Sequence, residues 1–189
     1  VDGRAVREAG NFMVVANLNP CPCGGLGSRQ AICSCSAKRI EGYWSKIGKP
    51  FVERFDVRLP LEESTGGLVC GTVEGASSSR SKTDSYYIER AVESRERQAS
   101  RYKYIEGMSF NGQLCRTPKA FAFMSKEREL FMKICQKSQS NARSQLGTIA
   151  LARSIADFKG KADVSEQDFL MAIELRRYGL GDYYWKSLI

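Results

Sequence analysis

The sequence predicts an α/β segment followed by an all-helical segment, an α/β plus α chain of 189 residues. Three observations predict this class. The nearly continuous apolar run Phe12–Leu18 is typical of a strand buried on both faces of a parallel sheet. Phe55–Leu61 alternates apolar and polar residues with a period of two, as a strand does. From Asp84 onward, apolar residues recur with helical spacing instead.

A Gly- and Ser-rich stretch separates the two segments. Residues 63–82 contain four glycines and three consecutive serines, so they bury little and favour a flexible connection. We therefore expect a domain over 1–62 with a few parallel strands, a linker over 63–83 and a helical domain over 84–189.

Capping residues predict where the helices begin. In the first domain, Ser36 precedes a helix that carries Ile40 and Trp44 on one face and ends at Gly48. In the second, a helix from Asp84 to about Arg101 is expected to turn its apolar residues inward. These residues are Tyr87, Ile88, Ala91 and Val92. The remaining helices are predicted to open at Ser125, Asn141 and Ser165.

Composition excludes several classes of function. The chain has no His, which excludes a Ser-His-Asp triad and His metal ligands. No apolar stretch approaches the length of a membrane helix, and residues 1–10 lack the apolar core of a signal peptide. The net charge is +8, and residues 101–161 hold 12 basic against 4 acidic groups. Such a segment suits a phosphate-rich partner, or it is simply a solvated surface.

Four cysteines are spaced as a metal-binding set. Cys21 and Cys23 form one pair, and Cys33 and Cys35 form a second pair beyond a Gly-containing loop. A loop that folds back brings four sulfurs around one Zn²⁺, which thiolates bind tetrahedrally. Free or partly oxidised thiols and disulfides are the alternatives that the spacing leaves open.

Three further polar residues are candidates for a site. Asn19 follows the first predicted strand, where it either faces a ligand crevice or begins the turn at Pro20. Arg54 precedes the second strand, where it either meets a phosphate or forms a surface ion pair. Arg143 lies in the first turn of a predicted helix, where a cation opposes the helix dipole. That unfavourable placement is a sign of function.

Two nucleotide-binding motifs are not found in the sequence. It contains no G-x-x-x-x-G-K-[ST] phosphate loop, and no apolar strand ends in Asp-Glu. We therefore expect these residues alone to be inactive toward a nucleoside triphosphate with Mg²⁺.

Long stretches of the chain resemble one family. Val14–Gly24 (VVANLNPCPCG) is similar to the "VAAMNPCPCG" segment of the magnesium-chelatase-like AAA+ ATPases of the competence protein ComM group. Cys33–Ser36 resembles the second cysteine pair of that family, and Tyr43–Leu59 resembles its "YLSRISGPLLDRIDLHV". Glu93–Arg101 resembles its helix bearing arginine and glutamine. Asn141–Asp157 resembles "SARAYHRILRVARTIADL".

The resemblance implies a role for each candidate residue. Asn19 matches the sensor-1 Asn, which orients water near the γ-phosphate of ATP. Arg54 matches the arginine finger that reaches the ATP of the next subunit, and Arg143 matches the sensor-2 Arg of the helical lid. The four cysteines match the cysteine motif of the family.

The resemblance also implies an architecture and a partner. The chain corresponds to the C-terminal part of an AAA+ P-loop core and the helical lid after it. The complete protein is then a cytoplasmic ATP- and Mg²⁺-dependent ring motor, a homohexamer that acts on DNA in branch migration. A metal-inserting chelatase subunit is one alternative, and a non-enzymatic zinc-bearing interaction module is another.

Overall fold

The computed structural model describes residues 13–61, 82–116, 125–134 and 142–177. Within these ranges the regular elements are all helices, joined by turns and extended segments. The N-terminal part holds α1 (Ala37–Ile47) and α2 (Lys49–Val52). The C-terminal part holds α3 (Lys82–Tyr102), a 3-10 helix (Asn111–Arg116), α4 (Ser125–Ile134), α5 (Ala142–Phe158) and α6 (Glu166–Arg177).

Helix α5 is the centre of the C-terminal bundle. It packs against α3, α4, α6 and the 3-10 helix. Small residues such as Ala152 and Ala156 are fully buried on it, which lets neighbouring helices approach closely. The apolar core around α5 comprises Tyr102, Met108, Leu114, Phe131, Ile149, Ala150, Ala152, Phe169 and Ala172.

A polar network is buried beside this apolar core. The Asp157 carboxylate is almost fully buried and accepts hydrogen bonds from Arg101 at 2.8 Å and from Arg153 at 3.0 Å. Asn111 also donates to Asp157 at 3.0 Å, and it accepts from the Tyr102 hydroxyl at 2.7 Å. The network therefore ties α3, the 3-10 helix and α5 together with charge-assisted hydrogen bonds.

The predicted helix starts at Ser36, Ser125 and Ser165 are confirmed, whereas α3 begins at Lys82, two residues before the predicted start at Asp84. Asn141 lies outside the described residues. Ser36 caps α1, since its hydroxyl accepts a hydrogen bond from the Arg39 N–H at 3.3 Å. Gly48 ends α1 in the left-handed region, at a φ of 71°. At α6, the Asp168 carboxylate accepts from the Ser165 N–H at 3.0 Å and from the Ser165 hydroxyl at 2.6 Å.

The α/β prediction is wrong. Neither Phe12–Leu18 nor Phe55–Leu61 forms a strand in the residues described, and no sheet or parallel-strand P-loop core is present there. A strand needs a neighbour for its N–H and C=O groups, and no described segment pairs with either run. Met13 and Val15 are more than four-fifths exposed, so the apolar character of the first run did not bury it.

The alternating segment is inverted relative to the prediction. Val57, Leu59 and Leu61 are exposed, whereas Arg58 between them has buried guanidinium nitrogens. The Arg58 N–H donates to the Leu175 carbonyl at 2.8 Å. The segment therefore docks on the last turn of α6 instead of pairing with another strand.

The predicted inward face of α3 is also wrong. Tyr87, Ile88, Ala91 and Val92 are exposed, and the buried positions are Ser94, Gln98 and Tyr102. The side-chain oxygen of Gln98 accepts from the Asn111 N–H at 2.9 Å, which explains how polar residues occupy this face.

Most of the predicted 63–83 linker lies outside the described residues, and so does the end of the predicted helical domain beyond Arg177. The described helices are all too short or too polar to cross a membrane.

Candidate functional site

The cysteine loop lies in front of α1 and folds back on itself. Gly24 closes a turn by donating its N–H to the Cys21 carbonyl at 3.1 Å, with a φ of 77° that favours glycine. A Cβ on Gly25 would lie only 3.3 Å from the Ile32 carbonyl oxygen. Glycine at these two positions therefore lets the two halves of the loop approach closely enough for their cysteines to meet.

The four cysteine sulfurs form one compact cluster. All lie within 4.8 Å of one another. The Sγ atoms of Cys21 and Cys23 are 3.3 Å apart, and that of Cys33 is 3.7 Å from each of them. Four sulfurs at about 2.3 Å from a tetrahedral Zn²⁺ would be about 3.8 Å apart. A disulfide would need about 2.05 Å, so these four thiols are unpaired and spaced as metal ligands.

The cluster has an apolar side and an open side. Cys21 is fully buried against Ile40, with Leu26 and Trp44 packed around them. The Trp44 indole N–H donates to the Pro20 carbonyl at 3.0 Å and fastens the loop to α1. Cys23 is exposed. The cluster is therefore held by the protein on one side and accessible to a metal ion on the other.

The thiols differ in their protonation. A backbone hydrogen bond from Gly25 and a side-chain bond from Cys21 lower the pKa of Cys23 to about 6. The Cys35 backbone lowers the pKa of Cys33, but burial and the adjoining thiols outweigh it and raise that pKa to about 11. Burial also raises the pKa of Cys35. Crowded thiols resist sharing several negative charges, and a divalent cation would offset that repulsion.

The soft donor set points to the type of metal that fits. Thiolates prefer Zn²⁺ and iron–sulfur iron over Mg²⁺ or Ca²⁺, which take oxygen ligands. Cys21, Cys23, Cys33 and Cys35 would occupy all four positions of a tetrahedral zinc, which leaves none for a substrate. The arrangement therefore suits a structural ion.

Asn19 lies next to the cluster. It is exposed, and its amide nitrogen lies 3.7 Å from the position that a Cβ on Gly24 would occupy. Asn19 thus contacts the turn that carries Cys21 and Cys23.

The two predicted arginines lie on other elements. Arg54 is exposed just after α2, and its Nη1 donates to the Pro50 carbonyl at 2.5 Å. Arg143 is exposed at the second position of α5. No hydrogen bond or ion pair links Arg54, Arg143 and Asn19 to one another in the described part of the chain. The structure brings the four cysteines and Asn19 together, and it leaves both guanidinium groups at the surface.

Sequence reasoning missed a second cluster of charge. The Arg176 guanidinium is 96% buried, although it lies in the last turn of α6. It donates to the Asp56 carboxylate at 3.1 Å and so joins the N-terminal part to the bundle. Arg58 lies beside this pair with its nitrogens buried. The only signal for this site in the sequence was Arg58, an arginine between the apolar residues of the alternating segment Phe55–Leu61.

Comparison with known proteins places these elements in a family. Residues 3–68 match the family model described as magnesium chelatase, subunit ChlI. Residues 82–176 match the model described as magnesium chelatase, subunit ChlI C-terminal. The two matched ranges include the cysteine loop, Arg54 and Arg143.

Three curated relatives are similar over nearly the whole chain. They are uncharacterized proteins of Mycobacterium bovis (Mb2921c) and of two Mycobacterium tuberculosis strains (MT2965 and Rv2897c). Each is 25% identical over 184 residues, which cover 94% of this chain and 34% of the relative. The chain thus spans about a third of the length of these relatives. No solved structure matches it.

The C-terminal model alone covers half of the 189 residues, and the model of the same subunit's preceding part matches the segment before it. The chain therefore belongs to the magnesium chelatase subunit ChlI family.

Proposed function

We propose that this chain is the C-terminal portion of a magnesium-chelatase-like AAA+ ATPase that works as a ring. The observation that carries the proposal is the family match, which includes Arg54 in its first part and Arg143 in its second. Both guanidinium groups are exposed, and neither forms an ion pair with a described residue. Each is therefore available to a phosphate.

The placement of these residues suggests how each would act on ATP. Arg54 follows α2, and its contact with the Pro50 carbonyl holds one nitrogen of an exposed side chain. A guanidinium at such a corner would reach an ATP held by the next subunit and stabilise charge as the phosphoryl group transfers. Arg143, at the start of α5, would meet the nucleotide of its own subunit. A phosphate there would offset the dipole cost of the cation.

Asn19 would supply a neutral polar group. Its amide would orient the attacking water by donating and accepting hydrogen bonds, without altering the charge at the site. Mg²⁺ would accompany ATP and supply positive charge that stabilises the transferring phosphoryl group. This chain contains no phosphate loop to hold them, so its residues would sense and polarise a nucleotide bound mainly by other residues.

The test uses the longer protein of which this chain would be the C-terminal part. Arg54→Ala should lower ATP turnover by roughly a thousandfold, as loss of an arginine finger does, while nucleotide binding stays. Arg143→Ala should weaken binding as well as turnover. The control is Arg39→Ala, an exposed arginine on α1 with no proposed role. Equal turnover in Arg54→Ala and the control would contradict the proposal.

We expect the 189 residues alone to bind ATP weakly, and micromolar binding in calorimetry would contradict that expectation.

We also propose that the four cysteines hold one structural Zn²⁺. The support is their sulfur spacing together with a buried apolar side that fixes Cys21. Cys23→Ser should reduce the zinc retained after desalting, whereas Cys135→Ser, which removes a thiol other than these four, should not. Equal zinc content in the two variants would contradict the assignment.

We propose that the ring acts on DNA. The specific activity that we propose is branch migration, as in the ComM group, and the assembly is a hexamer. The support is the basic excess in residues 101–161. Binding through phosphates should weaken steeply as salt is raised. A flat salt response would contradict it.

The family description itself favours a second candidate, a metal-inserting chelatase subunit. DNA should stimulate turnover of the first kind of motor and leave the second unchanged.

A further inference from the structure

The guanidinium group of Arg58 is buried without a hydrogen-bond acceptor among the described residues. Its Nε, Nη1 and Nη2 are all shielded from solvent, and none has a hydrogen-bond acceptor within the described residues. A guanidinium carries five N–H donors and stays charged, so burying it unmatched is strongly unfavourable. Such a group marks a place where an acceptor belongs.

Arg176 is a second cation at the same place. Its Nη1 donates to the Asp56 carboxylate at 3.1 Å, and its Nη2 lies 3.5 Å from the Glu53 carbonyl. Its Nε is buried and has no acceptor in the described structure. The Asp56 side chain is 71% exposed, so water weakens its compensation of the buried Arg176 charge.

Backbone contacts hold the two arginines together. The Arg58 N–H donates to the carbonyl of Leu175, the residue before Arg176. On the other side, a Cβ on Gly147 would come within 2.9 Å of three guanidinium atoms of Arg176. Only glycine at that position of α5 lets the Arg176 group lie this close to the helix.

The two charges influence each other. Burial and the positive charge of Arg176 together lower the pKa of Arg58 to about 10. Glu53 and Asp56 act in the opposite direction without cancelling the shift. The site therefore has more positive charge and more donors than its own residues satisfy.

We propose that Arg58 and Arg176 form a binding site for a small oxyanion of the phosphate class. The planar fork of a guanidinium matches two oxygens of such an anion, and a dianion would relieve the repulsion between two cations. Four buried nitrogens would gain acceptors. Because none of them is open to solvent, the site suits a free anion that becomes enclosed, such as inorganic phosphate. The site uses neither Arg54 nor Arg143, and it does not depend on the proposed ATPase.

Calorimetric titration of the full chain with inorganic phosphate, at constant ionic strength, tests the proposal. Wild type should bind saturably. Arg58→Gln should weaken binding by about tenfold to a hundredfold, as expected when hydrogen bonds to a charged group are lost. Gly147→Ala should also weaken it, because it displaces Arg176 while keeping both charges. Arg39→Gln, the matched control on the exposed face of α1, should bind as wild type does.

Several results would overturn the proposal. One is the absence of saturable phosphate binding to wild type, and another is equal weakening in Arg58→Gln and Arg39→Gln. If circular dichroism shows that Arg58→Gln does not fold, Arg58→Lys decides, since it keeps the charge and loses the fork. Unchanged affinity in Arg58→Lys would then contradict the site. A parallel titration with ATP identifies the source of the anion. If Arg143→Ala abolishes phosphate binding and Arg58→Gln does not, the anion binds at the proposed nucleotide site instead.

Discussion

The N-terminal and C-terminal parts of the molecule are stabilised in different ways. Residues 82–177 contain an apolar core of nine buried side chains, with a buried ionic network around Asp157. Residues 13–61 have only Cys21 and Ile40 in their buried cluster, and their apolar runs are exposed. The zinc proposed for the four thiols would supply, together with the docking of Arg58 on α6, the stability that the smaller core lacks. A region with few buried apolar groups needs such cross-links to hold one conformation.

Metal removal should produce the largest difference between the two parts. If the thiols hold Zn²⁺, a chelator removes most of what orders the cysteine loop, because binding of a structural zinc is worth about 10 kcal/mol or more. Amide hydrogen exchange should become fast over residues 20–47 and stay slow in α5. Added zinc should restore slow amide exchange in residues 20–47. Equal acceleration of exchange in residues 20–47 and in α5 would contradict the difference between the two parts.

Asp157→Ala should have the opposite pattern. It leaves Arg153, which is 98% buried, with only the Glu127 carboxylate at 3.6 Å, and it removes the partner of Arg101 and Asn111. Breaking a buried pair costs about 3–5 kcal/mol, so thermal unfolding of the bundle should occur at a clearly lower temperature. The zinc content should not change.

The control for this variant is Glu129→Gln. It removes the exposed ion pair with Lys133, whose side chains are about 70% exposed. Such pairs contribute less than about 1 kcal/mol. A similar loss of stability in Asp157→Ala and Glu129→Gln would contradict the role assigned to the network.

Lowering the pH should reduce the stability of the C-terminal bundle more gradually than Asp157→Ala does. Burial alone would raise the pKa of Asp157, but hydrogen bonds from Arg101 and Asn111 outweigh it and lower that pKa. Burial is likewise outweighed at Asp168, where Lys159 and Ser165 lower the pKa. A carboxyl with a lowered pKa stabilises the fold above its unfolded value near 3.8 and loses that effect as pH falls through the folded pKa. The free energy of unfolding should therefore fall below about pH 5. Urea unfolding at several pH values measures this slope, and Asp168→Asn should flatten it. A slope that stays unchanged in this variant would contradict the role of Asp168.

Trp44→Phe should have the smallest effect. It keeps an aromatic ring against the cysteine cluster but loses the 3.0 Å hydrogen bond to the Pro20 carbonyl. One such bond contributes about 1 kcal/mol. Zinc affinity should fall slightly and the bundle should melt as before, as measured by competition with a zinc indicator and by calorimetry. Complete loss of zinc binding would mean that Trp44 contributes more to the stability of the cysteine loop than this hydrogen bond accounts for.

The sequence predicted features that depend on neighbouring residues. Ser36 and Ser165 have hydroxyls suited to helix N-termini, and the structure confirms caps at both positions. The clustering of the four cysteines was also predictable, because glycines between closely spaced pairs allow the loop to fold back. These features are set by local backbone chemistry.

Features that depend on distant partners were not predictable. The run from Met13 to Leu18 has a strand composition, but a strand forms only when another one pairs with it. The buried face of α3 was misassigned because Gln98 and Ser94 are buried through bonds to residues that periodicity cannot reveal. The burial of Arg58 was missed for the same reason, since its site is completed by α5 and α6.

We propose that the four thiols form one metal centre that organises the N-terminal part. The decisive experiment is zinc analysis combined with X-ray absorption at the zinc edge, on protein purified without chelator. We expect about one zinc per chain with four sulfur neighbours at about 2.3 Å. Protein without zinc, or zinc surrounded by oxygen and nitrogen, would contradict it.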